Sequence, residues 1–500
     1  MDEDYNKLQD AAGHRMEPRR IALVVVVLLS DLLFSGLVYG WAPLLLMLQD
    51  EQQYIELCDH SNALKPQNDS SPRSGCDAQE NKLNLMFVVS VALMDGAALP
   101  LGFFLDYAGP KIAVAAAGVL EVAGLALLAF AQSQHFDVFV LAYTLIAVGG
   151  ILTLMVSFPA SFLVPKHQTA ILAAANCLSD GSSIIFLGFY SIKSHFGVSR
   201  QYLLCILAAI AAVIYVVLIG LWHINEHTLR SIDAKGHDSQ GTESTTSSEL
   251  GPISNTNGTT AILQSGDCER VNSGDYRLPS ISDDPSGQLV DAPIRTQIRT
   301  FEFVFIVVFA AVQELRTLVY IGTGTILLEN YGDQEHDHLY TTIFSIVLPL
   351  GFLFIPIIDH VVDKKGLAAA LVCTNILGLA YNSLALIPNL NVQCVTFFLF
   401  TGFQSFLYAV LSVFTAKIFG LQNMGTLIGL IYTVGAVMNL LEHPAVLLSN
   451  AYFGGELYVV QGICFALGVL LVPFTAFFCR RLKSGQEAQR KDPGIPFCIT

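Results

Sequence analysis

The sequence predicts an all-α membrane protein of twelve transmembrane helices in two six-helix halves. Of its 500 residues, 53% are hydrophobic and only 13% are charged, and the mean hydropathy is +0.55. This balance excludes a soluble globular domain, which carries about 25% charged residues. Twelve apolar segments are long enough, at about 20 residues or more, to cross a bilayer core of about 30 Å. They are 21–48, 84–105, 110–131, 137–163, 168–191, 200–223, 300–328, 338–361, 366–387, 391–413, 422–446 and 455–478.

The first apolar segment is not a cleavable signal peptide. It is too long, Trp41-Ala-Pro43 follows it instead of a small-residue cleavage site, and eleven further segments come after it. The arm of residues 1–20 is therefore expected to stay in the cytosol.

The basic residues support this topology. Of the 26 lysines and arginines, 20 fall on the expected cytoplasmic side, in the N-terminal arm, the central loop, the tail 479–500 and short turns. This asymmetry follows the positive-inside rule. The net charge of -15 reflects acidic residues in the central loop and on the outer face, and it indicates solvation. The chain has no basic patch typical of a nucleic-acid binder.

Residues 224–299 separate the two halves, 21–223 and 300–478. This stretch is rich in Ser, Thr, Gly, Asp and Asn and has too little apolar surface to fold alone, so we expect a disordered cytoplasmic linker. The alternative is a linker regulated by phosphorylation, because Ser247, Ser248 and Ser280 lie among acidic residues.

The loop between the first two spans is expected to face outside. It contains Cys58 and Cys76, and two cysteines in one short loop on an oxidising face favour a disulfide over free thiols. Asn68-Asp-Ser70 in the same loop is an N-glycosylation acceptor. A second acceptor at Asn257 lies in the linker and should stay unmodified.

A short turn of acidic and basic residues occurs twice, each time after the second span of a half. This repetition predicts two homologous halves with a substrate path between them. The acidic side chains are expected to accept from helix N-terminal amides and to pair with basic residues across a cytoplasmic gate, while glycine permits the tight turn. The first copy resembles the loop signature of the major facilitator superfamily, which implies that fold. The gate residues are Gly102, Asp106, Gly109 and Lys111 in the first copy, and Asp359, Asp363, Lys364 and Gly366 in the second.

Polar residues inside the spans mark the candidate path, because each is costly in lipid unless it faces a partner or water. Several recur at spacings that place them on one helix face, and we expect those faces to line a cavity. The predicted path comprises Asp31, Ser35, Tyr39, Asn176, Asp180, Ser183, Gln313, Arg316, Tyr320, Gln404 and Tyr408. The helical period of span seven turns Glu314 away from the face that carries Arg316.

Several of these residues have structural alternatives. Asp31 and Arg316 are each interpreted as lining the path, but they can instead form an ion pair between the halves. Asp95 and Glu121 can line the path or bind neighbouring helices, and the sequence leaves both open. Arg316 is also a candidate clamp for a substrate carboxylate, since a guanidinium suits bidentate binding of that group.

A closer resemblance involves segments in nearly all spans. They resemble solute carrier family 43, and the segments that carry the resemblance are 36–43, 53–58, 149–152, 176–183, 320–322 and 405–408. That family comprises facilitative transporters of large neutral amino acids and an equilibrative purine nucleobase transporter. The resemblance implies a uniporter of one of those substrates in a lipid bilayer, which we expect to be the plasma membrane.

We therefore predict an alternating-access carrier of large neutral amino acids, with nucleobases as the alternative substrate. Proton coupling through Asp31 or Asp180 is a weaker possibility, because buried carboxylates can carry protons. A receptor or scaffold that does not transport is an alternative of another class. No enzyme constellation, no metal-ligand spacing and no ATP-binding glycine loop occurs in the sequence, so no cofactor is expected.

Overall fold

The computed structural model describes residues 18–58, 77–241, 289–290, 292–336, 339–441 and 458–491. These residues form helices joined by short turns, and the predicted all-α fold is confirmed. Eleven helices in the described ranges are long and apolar enough to cross a membrane, and Met424–Met438 is a shorter apolar helix. Spans 1 to 4 are Pro18–Tyr39, Asp77–Ala108, Pro110–Phe130 and Phe139–Ser161. Spans 5 and 6 are Gln168–Gly181 continued by Ile184–Phe196, and Arg200–Gly241.

The second half repeats this arrangement. Span 7 is Phe301–Asn330, and span 8 is Leu339–Val347, a 3₁₀ segment Leu348–Phe354 and Ile355–Lys365. Spans 9 to 12 are Leu367–Ala385, Leu390–Phe419, Met424–Asn439 and Tyr458–Lys491.

Span 1 is not one continuous α-helix. Its helix Pro18–Ser30 passes into a π-helical turn at Asp31–Ser35 and a 3₁₀ turn at Leu37–Tyr39 before a second helix, Trp41–Asp50, begins. The break lies where span 5 comes closest, because a Cβ at Gly36 would overlap the carbonyl oxygen of Ser179. The freed amide of Gly36 donates to Ser182 Oγ over 2.8 Å, so span 5 replaces a lost helical hydrogen bond.

The two halves meet along three lines of helix contact. Span 2 packs against span 11, and span 5 packs against spans 8 and 10. We call the end of the bundle that carries Asp106 and Asp363 the turn end, and the opposite end the far end. The outer faces of the halves are apolar and exposed, as expected for surfaces covered by lipid; Val119, Val213 and Leu470 are examples.

The far end of the first half is tied together by ionic and polar contacts. Glu51 accepts from Lys193 Nζ at 3.1 Å and from Arg200 Nε at 2.7 Å, which joins the extension of span 1 to spans 5 and 6. The hydroxyl of Tyr54 donates to Asp137, and burial, together with this bond, raises the pKa of Tyr54. These contacts join the extension of span 1 to spans 5 and 6 and to the loop before span 4.

The structure differs from the predicted linker 224–299 at both of its ends. Span 6 continues to Gly241, well beyond the predicted end of the helix at residue 223. At the other end, Gln297 is fully buried, and its amide donates to the carbonyl oxygens of Leu289 and Phe419 at 2.9 Å each. Asn423 donates to Gln297 Oε1, so residues near the end of the linker pack against the start of span 11.

Candidate functional site

The two repeated turns have the same backbone conformation. Gly109 has φ +82° and ψ +161°, and Gly366 has φ +86° and ψ +168°, and each directly precedes the first residue of the next helix. Non-glycine residues are strained at positive φ, which explains glycine at both positions. The repeated sequence therefore adopts the same backbone turn in both halves.

At the turn end, Asp106 crosses from the first half to the second. Its carboxylate accepts from the amide of Gly425 at 2.9 Å, and from the amide and hydroxyl of Thr426 at 2.6 Å each. These groups lie in the first turn of span 11, whose amides have no partner within the helix and whose dipole favours a negative charge. Asp106 thus caps a helix of the other half, as the sequence predicted for the acidic residue.

Close glycine packing surrounds this cap. A Cβ added at Gly102 would overlap the carbonyl oxygen of Gly425, and one at Gly429 would overlap the carbonyl oxygen of Ala98. Spans 2 and 11 therefore touch backbone to backbone, and small residues make this approach possible.

The second turn makes a weaker contact between the halves. Thr169 in span 5 donates to Asp363 Oδ1 at 2.7 Å, and Lys417 of the same half pairs with that atom at 3.3 Å. Asp359 interacts electrostatically with Asp363, His167 and Lys417. Because Asp363 is 41% exposed, solvent screens its ion pair.

The basic gate residues of the two turns, Lys111 and Lys364, form no ion pair across the gate in the described chain. Lys111 Nζ lies 3.0 Å from His223 Nδ1 and 3.9 Å from Glu226, and both partners belong to the same half. Lys364 is exposed at the end of span 8. The gate is therefore closed by carboxylates that accept from the opposite half, not by the predicted ion pairs between acidic and basic residues.

In the middle of the bundle, span 5 meets span 10 through polar side chains. Asn176 donates to Ser412 Oγ at 3.0 Å, and Gln404 donates to Asp180 Oδ2 at 3.4 Å. Ser183 donates to the carbonyl oxygen of Asp180 at 2.8 Å. Of the residues that the sequence assigned to the path, Asn176, Asp180 and Gln404 therefore take part in contacts between the halves, whereas Ser183 bonds within span 5.

Tyr39 and Tyr408 complete this region. Tyr39 is 52% exposed, although it lies in the irregular part of span 1 and interacts electrostatically with Asp180 and Asp95. Because Tyr39 is exposed and yet near carboxylates of two other spans, we interpret the space beside it as a cavity within the bundle. Tyr408 interacts with Tyr39 and Asp180, so it belongs to the same cavity.

Asp31 and Ser35 do not line this cavity. Asp31 is fully buried within the first half, where Ser157 of span 4 donates to its Oδ1 at 2.8 Å. Ser35 donates to the carbonyl oxygen of Asp31 at 2.7 Å and is buried too. Asp31 and Ser35 were assigned to the path with Tyr39 on the basis of an α-helical period, and the π-helical turn at Asp31–Ser35 breaks that period.

Arg316, Gln313 and Tyr320 also lie away from the cavity. Arg316 is fully buried inside the second half, and its guanidinium donates to Asn382, Gln313 and the carbonyl oxygen of Gly378. Its bonds are to groups of its own half, so the ion pair with Asp31, one of the alternatives from sequence, is absent between these described residues, and the guanidinium donors are engaged away from the contact between the halves.

Tyr320 packs in an aromatic cluster of the same half. Its ring centroid lies 5.3 Å from that of Tyr381 and 4.6 Å from that of Phe400. The three path residues predicted in span 7 do share one helix face, but that face packs against span 9 and not against the other half.

The opposite face of span 7 carries a residue that the sequence analysis missed. Glu314 is 4% exposed and interacts electrostatically with Asp95, Tyr408 and Tyr432. Tyr432 of span 11 packs edge-on against Tyr408, with ring centroids 6.2 Å apart. The same helical period that placed Arg316 on one face of span 7 placed Glu314 on a different face. This was the signal in the sequence that could have identified Glu314.

The far-end expectations are only partly covered by the described residues. Cys58 forms a disulfide, and its partner lies outside the described residues. Cys76, the predicted partner, and Asn68 and Asn257, the acceptor sites, also lie outside them.

Comparison with known proteins supports the fold and the transport function. Residues 32–442 match the family model of the Major Facilitator Superfamily. The chain is 25% identical to equilibrative nucleobase transporter 1 of Bos taurus over 505 residues, which cover 96% of this chain and 98% of that one. It is 24% identical to large neutral amino acids transporter small subunit 3 of Homo sapiens over 552 residues, covering 95% and 96%. The structure of the proton:xylose symporter XylE bound to 6-bromo-6-deoxy-D-glucose aligns with a TM-score of 0.58 at 12% identity, covering 91% and 96%.

Proposed function

This chain belongs to the Major Facilitator Superfamily, and we propose that it is an alternating-access carrier through which purine nucleobases equilibrate across a membrane. It is a multi-pass membrane transporter and not an enzyme, as its family and its relatives indicate. The choice of substrate depends on one observation: the side chains that meet in the central cavity are carboxylates, amides and tyrosines.

These side chains suit a planar base with several N–H donors. Asp180, Gln404 and Glu314 offer acceptor oxygens, and the rings of Tyr39 and Tyr408 offer apolar faces. An aromatic heterocycle can stack on such faces while its N–H groups donate to the acceptors. The name of the bovine relative, an equilibrative nucleobase transporter, agrees with this substrate class.

Large neutral amino acids, the first prediction from sequence, become the second candidate. The cavity carboxylates can bind an α-ammonium group, and the human relative is named for such substrates. An amino acid also brings a carboxylate, for which Arg316 was the candidate partner. Because Arg316 is bonded inside the second half, this requirement now counts against amino acids.

The contacts between the halves indicate which state the structure represents. In the described part of the chain, the hydrogen bonds that join the halves lie at the turn end and in the middle of the bundle, at Asp106, Asp363, Asn176, Asp180 and the carbonyl oxygen of Asp95. The positive-inside rule puts the turn end in the cytoplasm. We therefore assign the structure to a state closed to the cytoplasm, and transport requires these contacts to break while the halves rock.

The setting of the carrier is part of the same proposal. Lipid surrounds the exposed apolar faces of both halves, and no nucleic-acid partner is expected. We propose the plasma membrane as its location, because the outer loop combines a disulfide at Cys58 with the acceptor site at Asn68.

Uptake of radiolabelled adenine, leucine and phenylalanine in a heterologous cell tests the proposal. We expect saturable adenine uptake that does not change when sodium is removed or pH is varied, because an equilibrative carrier couples to neither ion. Asp180→Asn should reduce it, while Asp50→Asn, at an exposed position outside the spans, should not. Uptake of leucine without adenine would select the second candidate, and uptake of neither would favour a receptor or scaffold.

A further inference from the structure

Glu314 is a buried carboxylate without a neutralising partner in the described part of the chain. It is 4% exposed, and its Oε1 has no hydrogen-bond partner among the described residues. Its Oε2 lies so close to span 11 that a Cβ at Gly435 would overlap it. A buried carboxyl group lowers the stability of the fold unless hydrogen bonds or an opposite charge compensate for its lost hydration. An uncompensated one at this position therefore points to a functional role.

Other unsatisfied polar atoms belong to the same region. Within the described residues, the Tyr432 hydroxyl and Gln404 Oε1 are buried and make no hydrogen bond. Tyr432 interacts with both Glu314 and Asp180, and Gln404 contacts Asp180. Spans 7, 10 and 11 therefore each bring a polar group with unused bonding capacity to the place where Asp180 of span 5 contacts the second half.

Tyrosines aside, the ionisable side chains of this place are acidic. Asp95, Asp180 and Glu314 interact with the tyrosines of the cavity, and no lysine or arginine of the described chain takes part in those interactions. The nearest basic residue in sequence, Arg316, donates to Asn382 and Gly378 within its own half. The three acids do not converge as a metal-binding group in the described residues, so a metal ion does not account for them.

We propose that Glu314 binds the hydrogen-bond donors of the substrate and that, with Asp95 and Asp180, it makes the site select neutral and cationic solutes against anionic ones. This inference rests on the proposed nucleobase transport and adds a rule of specificity to it. A carboxyl group held among low-dielectric walls accepts from N–H groups, whereas an anion that enters the same cavity meets no basic group to offset the hydration that it loses. Gly435 contributes by leaving room for the side chain.

A purely structural role for Glu314 would require a partner on another helix. Glu121 shows the contrast, because it is also fully buried without a hydrogen-bond partner in the described chain, but it packs against span 4 at Gly149 inside the first half. Glu121 is therefore a matched control: the same type of side chain, the same burial, and no position in the cavity.

The test is inhibition of labelled adenine uptake by two unlabelled purines, hypoxanthine, which is neutral at pH 7, and urate, which is anionic. In the parent protein we expect urate to inhibit about tenfold more weakly than hypoxanthine, because no basic group offsets the hydration that the anion loses. Glu314→Gln keeps the shape and replaces the carboxyl group by an amide whose N–H groups can donate to an anion. This variant should reduce the difference between inhibition by hypoxanthine and inhibition by urate severalfold. It should also weaken adenine binding by about tenfold.

Glu121→Gln should leave the difference between the two inhibitors and the affinity for adenine as in the parent. Gly435→Ala should lower adenine uptake as Glu314→Gln does, because the new methyl group displaces the carboxylate; Gly462→Ala, where nothing lies within 4 Å of an added Cβ, should not. Surface expression is measured for each variant, so that transport is compared per molecule at the membrane.

Equal inhibition by urate and hypoxanthine in the parent would overturn the proposal. So would a Glu314→Gln variant whose affinity for adenine and whose difference between the two inhibitors are the same as in the parent. Failure of nucleobase transport is a different result, seen as absent adenine uptake by the parent. In that case, thermal stabilisation of the purified full chain by leucine and by leucinamide, a cation without a carboxylate, decides the inference. Stabilisation by leucinamide that is lost in Glu314→Gln would support the site, and none would refute it.

Discussion

The cap that Asp106 forms on span 11 can be tested by Asp106→Asn. The carboxylate accepts three hydrogen bonds from Gly425 and Thr426, two of them from backbone amides at a helix N-terminus. An asparagine has one acceptor oxygen in place of two, and its amide group faces a donor. At least one helix amide therefore loses its partner, and the charge that the helix dipole favours is removed.

The size of the effect follows from these losses. A hydrogen bond to a charged group contributes about 1.5–3 kcal/mol, and the dipole adds about 0.3–1 kcal/mol near a partly exposed surface. Allowing for partial replacement by the amide, the closed turn end should lose about 2 kcal/mol, which raises the open fraction about 30-fold. Asp363→Asn should raise the open fraction only about twofold, because Asp363 accepts one hydrogen bond from a hydroxyl of the other half and is 41% exposed.

A native cysteine reports this opening. Cys177 is a free, fully buried thiol in span 5 that lies against Ser405 of span 10, at the contact between the halves. Its alkylation by a membrane-impermeant reagent in inside-out vesicles should be about 30-fold faster in Asp106→Asn and unchanged in Asp50→Asn. Cys177→Ser in each background identifies the labelled site. Equal rates in the parent and in Asp106→Asn would show that the cap does not hold the halves together.

Three further predictions follow from the same contacts. Gly102→Ala should impair transport at normal surface expression, because the added methyl group separates spans 2 and 11. Uptake measures the transport, and surface biotinylation measures the expression. Arg316→Ala should destabilise the fold by about 3 kcal/mol, seen as a lower melting temperature in detergent, and adding Asp31→Ala should not restore it because the two residues have separate partners. Asn68→Gln should abolish a glycosidase-sensitive mobility shift and Asn257→Gln should not, because only the outer loop is exposed to the glycosylation machinery.

The sequence predicted well those features that depend on composition and on local repetition. Apolar length gave the spans, and the repeated turns gave the two halves, because a glycine at positive φ between two helices is encoded locally. The capping role of Asp106 was also predictable, since an acidic residue beside a gate has few better partners than a helix N-terminus. The partner itself, span 11, lies more than 300 residues away and left no local signal.

The site was harder to predict because a helical period groups residues on a face without showing where the face points. Gln313, Arg316 and Tyr320 share a face, as expected, but that face turns into the second half. The deciding partners were Asn375 and Asn382 in span 9, whose amides accept from Gln313 and Arg316. Two asparagines seven residues apart in an apolar span were the available signal for a buried polar neighbour.

The distribution of polar contacts explains how the two halves can move as units. Asp31 accepts from Ser157 within the first half, and Arg316 donates to Asn382 within the second, so neither buried side chain has to change its partner when the halves rock. The contacts that do change are the cap at Asp106 and single hydrogen bonds such as those at Asp363, Asn176 and Asp180. Each is worth a few kcal/mol at most, so a substrate that binds between the halves can offset their loss. Strong bonds inside each half and weak bonds between them are the combination that alternating access requires.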